Sequence, residues 1–169
     1  DMSADAIKTV DFPPAYGADI VVSCEKAKDP KNGSIYLKPT QFVLGIGCRR
    51  DTAFENIDRA IRQSLLKLQI DISDIDMIAS IDVKKDEPGI KEFCERNRIE
   101  FVTYTADELM AVQGEFSASQ FVREHVGVDN VCERAAVLAC SRECNEAGEL
   151  IYKKHKYDRV TVAAARYPD

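Results

Sequence analysis

The run Gly45-Ile46-Gly47-Cys48-Arg49-Arg50 collects residue types suited to gripping an anion. Glycines let backbone N–H groups come close to a ligand. If 42–47 is a strand and a helix follows, the helix start adds unpaired N–H donors and the positive end of a dipole. Arg49 and Arg50 add planar guanidinium forks matched to carboxylate or phosphate. In an open α/β sheet, ligands gather beyond the carboxyl ends of strands, where this turn falls. The spacing is not Gly-x-Gly-x-x-Gly, because Asp51 and Thr52 follow the arginines, and there is no Gly-Lys-Ser/Thr of a P-loop. Nucleotide binding is therefore disfavoured. The plainer alternative is a packing pair of glycines beside two solvated arginines, and spacing alone leaves both open.

Cys48 is a second candidate, since a helix N-terminus and adjacent arginines lower a thiol pKa. It lacks a histidine partner: His125 and His155 are the only histidines, and neither has a triad-like context. Further along, Ser80-Ile81-Asp82-Val83-Lys84 ends an apolar run, and Glu87-Pro88 follows. A strand ending there would set Asp82, Lys84 and Glu87 along the same sheet edge. Asp82 or Glu87 could act as general base, and Lys84 could bind a carboxylate or stabilise an oxyanion. Equally, Asp82 and Lys84 could be turn residues, with Glu87 beginning a helix. Glu133 is a third acid, but its place three residues after Asn130 also suits a capping box.

These residues need elements to position them. The continuous apolar run 42–47 reads as a central strand covered on both faces. Thr52 and Glu55 form a Thr-x-x-Glu capping box. Phe54, Ile57, Ile61, Leu65 and Leu68 then follow at helical spacing. Strands are expected at 77–81 and 100–104, with a helix between them opened by Pro88. Thr105 and Glu108 repeat the box for a short helix. Ser119 would cap a helix carrying Phe121 and Val122, and Asn130 opens another. Segments 150–152 and 160–165 read as a closing antiparallel hairpin. Strands alternating with helices give an α/β class, a three-layer α/β/α with a mixed, mostly parallel central sheet. Short strands are also expected at 19–23 and 35–37, around a turn at 29–33. Residues 1–19 read as an arm.

Bulk composition narrows the partners. Net charge is −6 with no long basic block, so nucleic acid is a poor fit. Local pairs at Arg49-Arg50, Lys84-Lys85 and Lys153-Lys154 suit a small polyanion better. No 18-residue apolar run and no secretory signal are present, so no membrane span is expected and a cytoplasmic setting is. None of the six cysteines forms a Cys-x-x-Cys pair, which argues against a zinc ribbon and for free thiols. Cys140 and Cys144, four apart on a helix, fit buried small apolar residues better than a metal pair.

Taken in order, the motifs resemble a known family. They are Leu44 to Arg50, then Ala79-Ser80-Ile81-Asp82-x-Lys84-x-x-Glu87-Pro88-Gly89, then Gly127-Val128-x-x-Val131-x-Glu133-x-Ala135-Ala136, then Lys153 or Lys154, and Thr161-Val162-Ala163. This is similar to the CbiG/CobE family, the C-terminal domain of the cobalt-precorrin-5A hydrolases of cobalamin biosynthesis. Under that resemblance, residues 38–169 are the C-terminal α/β domain, and residues 1–37 are an arm and the end of a preceding linker. The family often carries glycine where Asp51 stands.

The resemblance implies opening of the δ-lactone of cobalt-precorrin-5A with release of acetaldehyde, in the anaerobic pathway. No protein-held cofactor is expected, because the cobalt comes with the tetrapyrrole substrate. Asp82, Lys84, Glu87 and Glu133 are the implied catalytic set. Gly45, Gly47, Cys48, Arg49, Arg50, Ser80, Ser119 and Lys153 are the implied substrate-binding set. An N-terminal domain in the parent protein is the expected partner. The competing readings are a non-catalytic corrinoid carrier and a purely structural domain.

Overall fold

The computed structural model describes residues 8–10, 20–22, 35–37, 41–117 and 127–168. Ser119, the helix expected at Phe121 and Val122, His125, Cys24 and the turn at 29–33 lie outside the described residues. The chain forms two compact units, Asp1–Thr40 and Gln41–Asp169. In the first, strands β1 (Lys8–Val10), β2 (Ile20–Val22) and β3 (Ile35–Leu37) form a small sheet. β1 runs antiparallel to β2, while β2 and β3 are parallel. The strands at 20–22 and 35–37 match the sequence reading, and they pair in parallel. β1 falls in the stretch read as an arm.

The second unit is built on a sheet ordered β6-β5-β4-β8-β7. Its elements in chain order begin with β4 (Phe42–Cys48), α1 (Phe54–Leu68), β5 (Ile75–Ile81), α2 (Pro88–Asn97) and β6 (Glu100–Tyr104). After them come α3 (Ala106–Ala111), α4 (Val131–Cys144), β7 (Glu149–Lys156) and β8 (Val160–Arg166). β4, β5 and β6 are mutually parallel, and β8 runs antiparallel to both β4 and β7. The sheet is mixed, with the expected closing hairpin. Among the described residues, no helix is long and apolar enough to cross a membrane.

Alternation along β4 divides the core in two. Phe42, Leu44 and Ile46 face one cluster with Ile57, Ile61 and Leu65 of α1 and Ile90 and Phe93 of α2. Val43 faces the other, with Ala135, Ala136 and Ala139 of α4 and Leu109 of α3. Each fully buried Leu, Ile or Phe contributes roughly 1.5–3 kcal/mol of transfer free energy. These two clusters make the three layers.

Local chemistry sets the helix starts. Thr105 and Glu108 form the expected capping box, and Pro88 occupies the first turn of α2. Asn130 caps α4 by accepting the Glu133 N–H at 3.0 Å. The expected box at Thr52 and Glu55 does not form. The residue before α1 is Ala53, which has no side-chain cap, and the Thr52 hydroxyl donates to the Arg49 carbonyl at 2.6 Å instead.

Gly45 sets how closely α4 lies on the sheet. A Cβ built there would sit 1.7 Å from the Cys132 carbonyl oxygen and 3.0 Å from the Ala136 nitrogen. The obstructing atoms are helix backbone, so relief would require moving α4 away from β4. Gly45→Ala is therefore expected to destabilise by about 2–3 kcal/mol, lowering Tm by roughly 5–10 °C. A thermal melt matching the wild type would contradict this contact.

Candidate functional site

The register pairs Cys48 with Val160, so the end of β4 and the start of β8 share one sheet edge. The turn leaving β4 is fixed from two sides. On the hairpin side, the Arg49 N–H donates to the Arg159 carbonyl at 3.0 Å, and the Arg159 guanidinium donates to the Arg50 carbonyl at 3.0 Å. On the other side, the Thr52 N–H donates to Glu87 Oε1 at 3.1 Å. Glu87 Oε2 pairs with Lys84 Nζ at 3.3 Å, with the two side chains 5% and 14% exposed. One carboxylate thus ties the β4–α1 turn to the β5–α2 loop.

Asp51 sits at φ 56°, in the left-handed region. Glycine takes that conformation without steric cost, and aspartate tolerates it better than most residues. The turn thus imposes a backbone requirement at this position, which aspartate meets.

The glycine pair does not serve as a ligand cradle. Both residues lie within the ladders, with Gly45 opposite Ala79 and Ala163 and Gly47 opposite Thr161. A Cβ at Gly47 would meet the Thr161 hydroxyl at 2.6 Å. The strand continues through Cys48, so the turn begins later than the sequence suggests. Arg49 and Arg50 are exposed. Neither guanidinium bonds to a described residue, and exposed Arg159 lies beside them. Sequence reasoning overlooked Arg159, because only the pairing of β4 with β8 brings it to Arg49.

The remaining candidates separate. Ser80 is fully buried and donates to the Ile46 carbonyl at 2.6 Å, so its hydroxyl serves the sheet. Asp82 is half-buried at the start of a short 3-10 turn, and its carboxylate makes no bond to a described residue. Lys153 is exposed, and its carbonyl lies 2.7 Å from His155 Nδ1.

Glu133 is fully buried, yet its carboxylate does not complete the box at Asn130. It accepts the Ser117 N–H at 2.8 Å, the Ser117 hydroxyl at 2.9 Å and the Lys154 N–H at 2.6 Å. Ser117 is the other residue that sequence reasoning missed. The Asn130 amide also donates to the Ser117 carbonyl at 2.8 Å. Next along the helix, Arg134 bonds the Val112 carbonyl at 2.9 Å, pairs with Asp129 at 2.8 Å and lies over the Phe116 ring. The first turn of α4 therefore clamps the segment 112–117.

Cys48 is not an activated nucleophile. Burial pushes its thiol up to about 11, and Lys84, the Thr52 hydroxyl and Arg159 recover only part of that shift. Its side chain packs against the α1/α2 cluster, so desolvation outweighs the nearby cations. A depression of about 530 Å³ lies near the far end of α4, lined partly by Val137, Leu138 and Arg142. Arg142 there already pairs with Glu108 at 2.6 Å. That end of the domain carries none of the candidate groups.

Comparison with known proteins identifies what the chain resembles. The family model described as Cobalamin synthesis G C-terminus matches residues 42–165. The cobalt-precorrin-5A hydrolase of Salmonella typhimurium is 38% identical over 102 residues, covering 60% of this chain and 29% of that protein. The enzyme of the same name from Priestia megaterium is 31% identical over 138 residues, covering 82% and 35%. The chain thus spans about a third of the length of these curated relatives. Among solved structures, that of CobE, a protein from the cobalamin (vitamin B12) biosynthetic pathway, superposes with a TM-score of 0.73 at 26% identity. That match covers 78% of this chain and 93% of CobE.

The thiol environment has a pH consequence. Cys48 rises from 9.0 to about 11 on folding, so the folded state keeps a proton that the unfolded state loses between those values. Its contribution to stability is complete below pH 9 and is lost as pH rises towards 11. Cys48 should accordingly react with iodoacetamide at pH 7.5 far more slowly than a free thiol, read by mass spectrometry. Labelling at the rate of free cysteine would contradict the burial argument.

Proposed function

The chain belongs to the Cobalamin synthesis G C-terminus family, and from that premise we propose that it is the corrinoid-handling domain of a cobalt-precorrin-5A hydrolase. The substrate is a cobalt-bearing macrocycle fringed with acetate and propionate carboxylates, and the cobalt arrives with it. The observation that carries this reading is the arginine edge. Arg49 and Arg50 are exposed and Arg159 is fixed beside them, on a chain of net charge −6. Exposed guanidinium groups concentrated on an acidic domain suit a small polycarboxylate, which forms bidentate charge-assisted bonds with them.

Chemistry would proceed at the adjoining end of β5. Of the three acids proposed to activate water, Glu87 and Glu133 have their carboxylates engaged by backbone donors. Asp82 remains, with no bond to a described residue. In this reading Asp82 takes a proton from water as the oxygen attacks the lactone carbonyl. Lys84 stabilises the developing oxyanion, held in place by Glu87. The ring C–O bond breaks to leave a carboxylate and an alcohol. Loss of that alcohol's proton as its C–O bond becomes C=O, with the electron pair of the cleaved C–C bond passing to the macrocycle carbon, releases the two-carbon fragment as acetaldehyde.

The parent protein is proposed to supply an N-terminal domain, consistent with the greater length of the relatives. Two measurements test this reading. Titration with a cobalt corrinoid bearing free carboxylates, followed by absorbance, should show binding weakened roughly tenfold or more by Arg49→Ala, the loss of one charge-assisted contact. No interaction of the wild type at high micromolar concentration would contradict it. Acetaldehyde release should then be compared between this chain and the full-length protein, each with and without Asp82→Asn. The substitution should abolish release wherever the wild type shows it. Release by the full-length protein alone, undiminished by Asp82→Asn, would favour the carrier reading.

A further inference from the structure

The strand β7 does not pair regularly with β8. Tyr152 faces Ala164 and His155 faces Val162, so three steps along β7 answer two along β8. The extra residue is a bulge, a feature that re-aims side chains and commonly flanks functional sites. Here it frees the Lys154 N–H from the ladder, and Glu133 accepts that N–H at 2.6 Å. The same carboxylate accepts both donors of Ser117. A fully buried carboxylate is a poor way to stabilise a core, since a well-packed apolar residue of similar volume often does as well or better. A buried acid that holds a bulge therefore suggests a requirement beyond stability.

The surroundings indicate what that requirement is. The Lys154 ammonium interacts electrostatically with the thiol of Cys132, on the first turn of α4. That thiol donates to Asn130 Oδ1 at 3.4 Å, and on the neighbouring strand the Thr161 hydroxyl donates to the Gly47 carbonyl at the end of β4. The Lys154 N–H bond to Glu133 sets Lys154 against the first turn of α4, beside β8, whose Thr161 pairs with Gly47 of the strand that leads into Arg49 and Arg50. The Lys154 ammonium forms no ion pair with a carboxylate among the described residues. Lys153 is exposed instead.

We infer that Glu133 is a positioning residue: by holding the β7 bulge and the Ser117 segment, it presents Lys154 rather than Lys153 to a second carboxylate of the ligand. The inference rests on the corrinoid reading above, with Arg49 and Arg50 engaging a different carboxylate.

The test uses the whole chain for amide exchange and corrinoid titration, with cobyrinic acid as the probe, and the full-length protein for turnover. Glu133→Gln should speed exchange of the Lys154 and Ser117 amides roughly tenfold or more, as one acceptor becomes a donor. It should also weaken cobyrinic acid binding and raise KM while leaving kcat within a few-fold. Lys154→Ala should weaken binding roughly tenfold, several-fold more than Lys153→Ala does. Wild-type amide protection in Glu133→Gln would overturn the inference. So would lost kcat with KM unchanged, the mark of a catalytic base, or equal effects of Lys153→Ala and Lys154→Ala. If Glu133→Gln does not fold, the comparison of the two lysine variants decides alone. A wild-type chain that fails to bind cobyrinic acid would overturn the corrinoid reading and the role of Lys154 with it, while the exchange result would still decide whether Glu133 holds the bulge.

Discussion

The contact between α4 and β4 at Gly45 governs the architecture of the edge. With the Cys132 carbonyl 1.7 Å from where a Cβ would stand, the helix rests on the strand backbone itself. Close-packed backbone cannot yield as a flexible side chain can, so the first turn of α4 has one permitted height above the sheet. Everything attached to that turn inherits the constraint. Asn130, Glu133 and Arg134 hold segment 112–117, and Glu133 also takes the displaced N–H of β7. The small residues Ala135, Ala136 and Ala139 continue the same close approach along the helix.

On the opposite face of β4, a second carboxylate works in a comparable way. Glu87 joins the turn after β4 to the loop after β5 through the Thr52 N–H and Lys84. Breaking a buried, paired carboxylate costs several kcal/mol, whereas exposed ion pairs are worth about 0–1 kcal/mol. The buried acids therefore shape the edge, and the exposed arginines remain free to meet a ligand. This division helps an acidic protein offer a local cationic surface: two of its carboxylates near the edge, Glu87 and Glu133, are turned inward and bonded to backbone.

Much of the fold could be read from residue patterns. The apolar run at 42–47, the helical spacing from Phe54 to Leu68, Pro88, and the box at Thr105 each act locally, and each appears as expected. What sequence misjudged depends on contacts between distant segments. Thr52 matches a capping pattern, but Glu87, 35 residues away, takes its N–H. Gly45 and Gly47 look like a ligand loop because glycine answers both a close helix and a close ligand. Cys48 has cationic neighbours in sequence, yet its side chain turns into the core, where burial decides its thiol. Arg159 and Ser117 carry no local signal at all. The bulge that distinguishes Lys154 from Lys153 emerges only from the register of β7 on β8.

In the proposed reading, the carboxyl edge recognises the side-chain carboxylates of a corrinoid. That recognition is tested most directly by titrating the chain with one cobalt corrinoid in two forms, its carboxylates free or converted to methyl esters. The free acid should bind, more weakly as salt rises, and the ester should bind at least roughly hundredfold more weakly, since several charge-assisted bonds are lost together. Equal binding of the two forms would contradict it, because the arginine edge would then play no part in recognition.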